Sequence, residues 1–310
     1  MSRAQVGKLR ILVTGRDGQV GTELAQALAP LGEITATRRA ELDLASNDSI
    51  RAVVQAVHPH LIVNAAAYTA VDKAESEPEL ARRINAEAVA TLAAEAKAAG
   101  AAIIHYSTDY VFDGAKTAPY TEEDAPDPLS VYGRTKLAGE QALAAAGIPY
   151  LVLRTSWVYG AHGKNFLLTI LKLAQQKPEL RIVADQTGAP TWSRDIAQAT
   201  AVIAAKWLPA AANSGVYHLT ASGSTTWHGF ATQALRLLSQ AHPADAARLA
   251  RPVPISTAEY PTAATRPKNS QLDCARLARV FHTALPEWQT SLASVMEEYE
   301  LALPAALHNG

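Results

Sequence analysis

Residues 9–31 constrain this chain more than any other stretch. Leu9-Arg10-Ile11-Leu12-Val13-Thr14 is a nearly continuous apolar run ending at Gly15. Such a run fits a strand buried on both faces of a parallel sheet. Gly15, Gly18 and Gly21 then recur at intervals of three, and Val20, Leu24, Ala27, Leu28 and Leu31 keep helical spacing up to Gly32. Glycines at a strand-to-helix turn let the backbone approach a pyrophosphate, whose charge meets the free amides and positive dipole end of the helix. The spacing alone also fits an ordinary turn. Its place directly after the first buried strand points to a dinucleotide held by Gly15, Gly18, Gln19, Val20 and Gly21.

The same rhythm continues. Strands are expected at 34–37, 61–66, 101–107 and 150–155, alternating with helices at 46–57, 84–99 and 131–146. That is most of an α/β doubly wound parallel sheet. Beyond Trp157 the pattern loosens into a helix at 166–175, a segment 181–184 that could be a strand, a helix from about Arg194, a strand at 216–219 and a helix from Trp227. The proline-bearing stretch 251–266 reads as irregular chain docked on the rest. With 310 residues there is room for two modest domains. Residues 1–156, with parts of about 190–222, are expected to form the dinucleotide-binding domain, and 157–189 with 223–310 a smaller substrate-binding portion.

Composition removes several function classes. Lys and Arg number 28 against 29 Asp and Glu, leaving no overall positive field for nucleic acid. Apolar residues make up 48% and charged ones 18%, which excludes an intrinsically disordered chain. The Ala-rich stretches are broken by Glu and Lys before they reach a membrane span, and the opening residues lack the pattern of a secretory signal. Cys274 is the single cysteine, so no internal disulfide forms. A cytoplasmic protein is expected.

The second strand ends at Thr37-Arg38-Arg39, where a cation can take the 2′-phosphate of NADP; solvated surface arginines would look the same. Asp43, next to Leu44, stands where it could meet the adenine or cap the following helix. The small residues of Asn64-Ala65-Ala66-Ala67-Tyr68 leave room for a flat ligand or for a packed helix. Asn85 could lock backbone groups or face water. Tyr132 and Lys136 share one helical face, where a cation can lower a phenol's pKa. Thr108, ending a central strand in Ser107-Thr108-Asp109, would bring a hydroxyl to the same sheet edge. His58 and His60 read as surface residues, His105 as a satisfied core residue. Trp157, just after a sheet strand, is placed to face a ligand, while Trp227 fits the core equally well.

Thr14-Gly15-x-x-Gly18-x-x-Gly21, a Thr closing the fourth strand and Tyr132-x-x-x-Lys136 together resemble the extended short-chain dehydrogenase/reductase family, which has a Rossmann-like fold. More narrowly, residues 18–21, 64–72, 107–114, 131–140, 154–160, 185–191 and 266–270 are similar to the branch that reduces 4-keto sugars carried on dTDP. The match spans nearly the whole chain. The resemblance implies that NADPH, or NADH, reduces C4 of dTDP-6-deoxy-L-lyxo-4-hexulose to dTDP-L-rhamnose, a precursor of cell-surface polysaccharides such as lipopolysaccharide. Tyr132 would protonate the alkoxide, Lys136 would hold the nicotinamide ribose, and Thr108 would bond the sugar oxygen. Ala65, Ala66 and Tyr68 would line the cofactor. Trp157 would flank the hexose, with Asn165, Phe166, Gln186, Pro190 and Arg266 around the nucleotide diphosphate. Some members are Mg2+-dependent homodimers with acidic residues at the interface. No matching acidic cluster is visible here, so the metal and the dimer rest on the resemblance alone. Other readings are a different nucleotide-sugar reductase or epimerase of this fold, or a non-catalytic relative such as the regulatory subunit of methionine adenosyltransferase.

Overall fold

The computed structural model describes residues 8–302; residues 1–7, part of the opening judged not to be a signal, and 303–310 lie outside the described residues. Six strands form the central sheet: β1 Leu9–Thr14, β2 Gly32–Thr37, β3 Leu61–Asn64, β4 Ala102–Thr108, β5 Tyr150–Thr155 and β6 Gly215–His218. Their spatial order is β6-β5-β4-β3-β1-β2, and every pair is parallel. Helices cover both faces because successive strand residues point to opposite sides. Ile11, Val13, Val63 and Ile104 pack under α1 (Gln19–Ala27), α6 (Ser193–Trp207) and α8 (Ala275–Phe281). Leu12, Ile62, Ile103 and Val152 pack under α2 (Asn47–Val57), α3 (Ala88–Ala99) and α4 (Val131–Ala145). The unbroken apolar runs of the sequence are therefore two cores read alternately.

A separate apolar cluster joins α5 (Phe166–Ala174), α7 (Trp227–Ala241) and α9 (Trp288–Ala302) through Leu171, Phe230, Leu235, Trp288 and Leu292. Short strand pairs connect the two cores: Val158–Tyr159 with Thr191–Trp192, and Thr187–Gly188 with Thr225–Thr226.

Most boundaries shift by one or two residues, and three differences matter for the layout. β3 ends at Asn64, so residues 65–67 leave the sheet. The helix expected from residue 84 begins as a π-helical turn, Arg83–Glu87. The stretch expected to be irregular from 251 opens with a strand, Arg251–Ile255, parallel to Glu179–Val183. Pro252 and Pro254 do not prevent it. The Arg251 N–H donates to Pro178 O and the Ile255 carbonyl accepts from Ala184, both at 2.9 Å. The prolines occupy the alternate positions, whose N–H would face away from the partner.

Candidate active site

The strand order reverses at β1: the chain runs from β1 to β2 on one side and returns with β3 on the other. A crevice opens at the carboxyl ends of the strands there, where doubly wound sheets bind their ligands. Its volume is about 830 Å³, and it is lined from β1 through β5 by Gly15, Ala65, Thr108, Asp109 and Trp157. This is within the usual range for a small-molecule site.

The glycine turn forms one end. Gly15 has φ +75, and a Cβ on it would lie 2.9 Å from the backbone of Ala66; a Cβ on Gly18 would lie 3.2 Å from Gly15 O. Gly21 serves packing instead, since a Cβ there would sit 2.0 Å from Gly15 O. Gly18, Gln19 and Val20 line the crevice, and Gly21 does not. The first turn of α1 has no side-chain cap, whereas Ser46, Ser130, Asn165 and Thr226 cap α2, α4, α5 and α7. The free amides of α1 therefore face the crevice without a competing protein acceptor.

Arg38 is exposed and pairs with Asp17 at 3.2 Å; of the two arginines, Arg39 lines the crevice. Asp43 and Leu44 line it as well. The Asp43 carboxylate also accepts from Ala45 N–H at 3.0 Å, so it closes a turn while facing the crevice. Ala65, Ala66 and Tyr68 form the opposite wall. Asn85 is buried and locks that wall: Oδ1 accepts from Tyr68 N–H at 2.8 Å, and Nδ2 donates to Tyr68 O at 3.0 Å and Thr135 Oγ1 at 3.2 Å. The Tyr68 hydroxyl donates to Glu77 at 2.7 Å, and burial pushes its pKa up to about 12.

Tyr132, Lys136 and Thr108 converge on this crevice. Ser130 caps α4, and Gly133 allows its first turn to lie against β4's end, since a Cβ there would sit 2.2 Å from Tyr110 O. Tyr132 lies within electrostatic reach of the Thr108 hydroxyl, and its ring meets Tyr110 edge-on at 5.6 Å. Lys136 is buried; Nζ donates to Tyr106 O at 2.7 Å and lies 3.2 Å from His105 Nε2. Burial pulls its pKa down to about 8 against the raising charge of Glu140. The expectation of a lowered phenol is corrected: burial pushes Tyr132 up to about 12, opposed by the Thr108 hydroxyl. The ammonium is turned toward β4, so desolvation of the phenol wins. Asp109, buried beside them, accepts from the Thr108 hydroxyl at 3.0 Å, and burial raises it to about 6.

On the far side Trp157 has φ +48 and stacks on Trp227 at 3.6 Å with 10° between planes. Gly188 makes that possible: a Cβ there would lie 2.6 Å from the Trp157 ring. Phe166 stands behind, 4.6 Å from Trp227. Gln186 is buried, accepting from Trp227 Nε1 at 3.2 Å and donating to Thr257 at 3.1 Å, and Pro190, four residues further on, is buried as well. Asn165 is occupied by structure: Oδ1 caps α5 at Leu168 N–H, and Nδ2 donates to Gln19 Oε1 and Gly160 O. Arg266 forms a bidentate pair with Asp72, at 3.0 and 2.7 Å. These five stand outside the crevice lining, whereas Trp157 is in it. Trp227, for which the sequence offered a core position, lines the crevice, and neither Asp109 nor the contact of His105 with Lys136 was singled out from sequence. Asp109 was within reach, being adjacent to Thr108 at a strand end; the other two depend on partners far along the chain.

Comparison with known proteins agrees with this geometry. The family model described as the RmlD substrate binding domain matches residues 9–301. A dTDP-4-dehydrorhamnose reductase of Burkholderia thailandensis is 47% identical over 285 residues, covering 91% of this chain and 96% of that protein. The Escherichia coli K12 protein of the same name is 44% identical over 294 residues, covering 94% and 98%. The crystal structure of the Bacillus anthracis dTDP-4-dehydrorhamnose reductase in complex with NADP superposes with a TM-score of 0.84 at 34% identity, covering 94% of this chain and 99% of that one. Matches of this extent, over both cores and the crevice between them, place the chain in the RmlD family of dTDP-4-dehydrorhamnose reductases.

Proposed function

We propose that this protein reduces the C4 keto group of dTDP-4-dehydro-L-rhamnose to give dTDP-L-rhamnose, using NADPH. The observation that carries the reading is the meeting, in one crevice, of the Tyr132 hydroxyl, the Thr108 hydroxyl and the Lys136 ammonium with an uncapped helix N-terminus behind a glycine turn. The residues fit a dinucleotide: Cβ atoms on Gly15 and Gly18 would narrow the cradle, and the α1 amides are without a side-chain acceptor. Bound NADPH supplies the hydride.

As C4 accepts that hydride, the electron pair of the C=O π bond moves to oxygen, and Tyr132 donates its proton there. A pKa of about 12 keeps Tyr132 protonated at neutral pH, and an alkoxide is a stronger base than the phenolate left behind. The phenolate then regains a proton from solvent. Thr108 hydrogen-bonds the same oxygen as charge develops on it. Lys136 holds the nicotinamide ribose through the ammonium N–H that its two β4 partners leave free. Gly15, Gly18, Gln19, Val20, Asp43, Leu44, Ala65, Ala66 and Tyr68 hold the cofactor, with Arg38 or Arg39 at the 2′-phosphate. Trp157 flanks the hexose. Asn165, Phe166, Gln186 and Pro190 support the nucleotide end, and Arg266 reaches the diphosphate by leaving Asp72.

On this reading residues 1–156, with parts of about 190–222, bind the dinucleotide, and 157–189 with 223–310 bind the substrate. A cytoplasmic location belongs to the same reading; no helix among the described residues is long and apolar enough to cross a membrane. Among the described residues no three His, Cys, Asp or Glu side chains gather where they could hold a metal ion. A homodimer rests on family likeness, and light scattering tests it.

Purified protein should consume NADPH when the 4-keto-L-hexulose nucleotide is supplied. NADPH binding with no turnover of any keto sugar would refute the reading in favour of a non-catalytic role. Turnover of a different nucleotide sugar alone would refute the substrate.

A further inference from the structure

Lys136 is 2% exposed, and its ammonium has three N–H donors and no lone pair. One N–H donates to Tyr106 O at 2.7 Å, and a second meets His105 Nε2 at 3.2 Å. Both partners belong to β4. Tetrahedral geometry then leaves the third N–H for the crevice. His105 is itself 1% exposed, and its Nδ1 lies 3.0 Å from the Asn64 amide on β3. Asn64 Oδ1 accepts from the Thr14 hydroxyl on β1 at 2.6 Å, and Thr14 Oγ1 accepts from Ala66 N–H at 3.2 Å. One buried chain thus crosses three strands and ends on the lysine.

We propose that His105 is a positioning residue for the reduction: it holds Lys136 by accepting one ammonium N–H, so that another points at the cofactor ribose, while Asn64 and Thr14 hold the ring. The proposal rests on the reductase reading above.

The ring is neutral. Burial, and secondarily the Lys136 charge, keep its pKa well below the usual imidazole range. One ring nitrogen therefore donates and the other accepts. Opposite an ammonium, Nε2 must accept, so Nδ1–H donates to the Asn64 oxygen and Thr14 accepts from the Asn64 nitrogen; this turns the Asn64 amide over from the orientation in which its nitrogen faces Nδ1 and its oxygen accepts from Thr14. When Lys136 gives up a proton, each link reverses: Nε2–H donates to the amine, Asn64 Nδ2 donates to Nδ1, and Thr14 donates to Oδ1. Thr14 closes the chain in both states because a hydroxyl donates or accepts. An apolar residue at 105 would leave the ammonium one acceptor short, which favours the neutral amine. Other ionisable groups close to Lys136 are Tyr132 and Glu140 on its own helix, Tyr106 of β4 and Asp109 just beyond β4. Glu140 is in turn held by Ser107 of β4 and Arg154 of β5.

The test compares wild type with His105→Gln, which can offer an oxygen near the Nε2 position, and His105→Leu, which fills the volume without an acceptor. Nitrogen NMR on free protein reads the His105 tautomer and the Lys136 titration; steady-state kinetics reads kcat and KM. Wild type should carry the proton on Nδ1 while Lys136 is charged. His105→Leu should lower the Lys136 midpoint by about one pH unit and kcat roughly tenfold, with KM for the sugar nucleotide little changed, and His105→Gln should restore most of both. An unchanged Lys136 midpoint in folded His105→Leu overturns the proposal. So does a wild-type ring protonated on Nε2 opposite a charged lysine, a result that stands even if the Leu variant fails to fold. Because the titration is read without substrate, absence of turnover in wild type would refute the reductase reading separately.

Discussion

Replacing Glu140 by Gln tests the buried ion pair that anchors the catalytic helix. Glu140 and Arg154 are each 4% exposed and joined by two hydrogen bonds, Nε to Oε1 at 2.9 Å and Nη2 to Oε2 at 2.6 Å. The Ser107 hydroxyl also donates to Oε1. The guanidinium lies over the Phe112 ring at 5.0 Å and near His218, which burial and the Arg154 charge keep neutral. Glutamine keeps the shape but turns an N–H toward Nη2, leaving a buried cation with no countercharge. Breaking a buried pair from one side costs about 3–5 kcal/mol, a large part of the roughly 5–15 kcal/mol that holds a domain folded. At about 2 °C per kcal/mol for a chain of this size, Tm should fall by roughly 6–10 °C. Glu140→Leu combined with Arg154→Met removes both charges and should recover most of that loss. Thermal unfolding by circular dichroism, with urea titration for the free energy, measures both variants. A single-variant loss under about 1 kcal/mol, or a double variant worse than Glu140→Gln, would show that the pair does not anchor α4 as argued.

Tyr132→Phe should leave NADPH affinity unchanged and lower kcat by roughly 10²–10⁴-fold; stopped-flow turnover close to wild type would remove Tyr132 from proton transfer. Gly15→Ala should raise the NADPH dissociation constant at least about tenfold, because its Cβ meets Ala66 and its backbone has φ +75. Calorimetric titration decides it. Gly188→Ala should destabilise by about 1–3 kcal/mol and raise KM for the sugar nucleotide, since the added carbon displaces Trp157. Unaltered indole fluorescence together with an unaltered KM would count against that wall. The free enzyme's kcat/KM should fall as pH rises through about 8, as Lys136 loses its proton while Tyr132, at about 12, keeps its own. A profile that stays flat well above pH 8 contradicts the role given to the ammonium.

The sequence by itself determined the alternating sheet, the glycine turn and the shared face of Tyr132 and Lys136. Each is set within a few residues: strand burial by an unbroken apolar run, the turn by glycines, the shared face by helical spacing. Only the tertiary structure decided which partner each polar group takes. Asn165 is spent on Gln19 and a helix cap, Arg266 is held by Asp72, and Arg251–Ile255 becomes a strand because Glu179–Val183 is there to pair with it. His105 looked like a core residue and is one, yet it also touches Lys136, and that contact spans 31 positions of chain. Local spacing states which way a side chain faces. What it meets is fixed only when strands and helices distant in the chain are packed together, and the buried polar groups must then pair with whatever lies opposite.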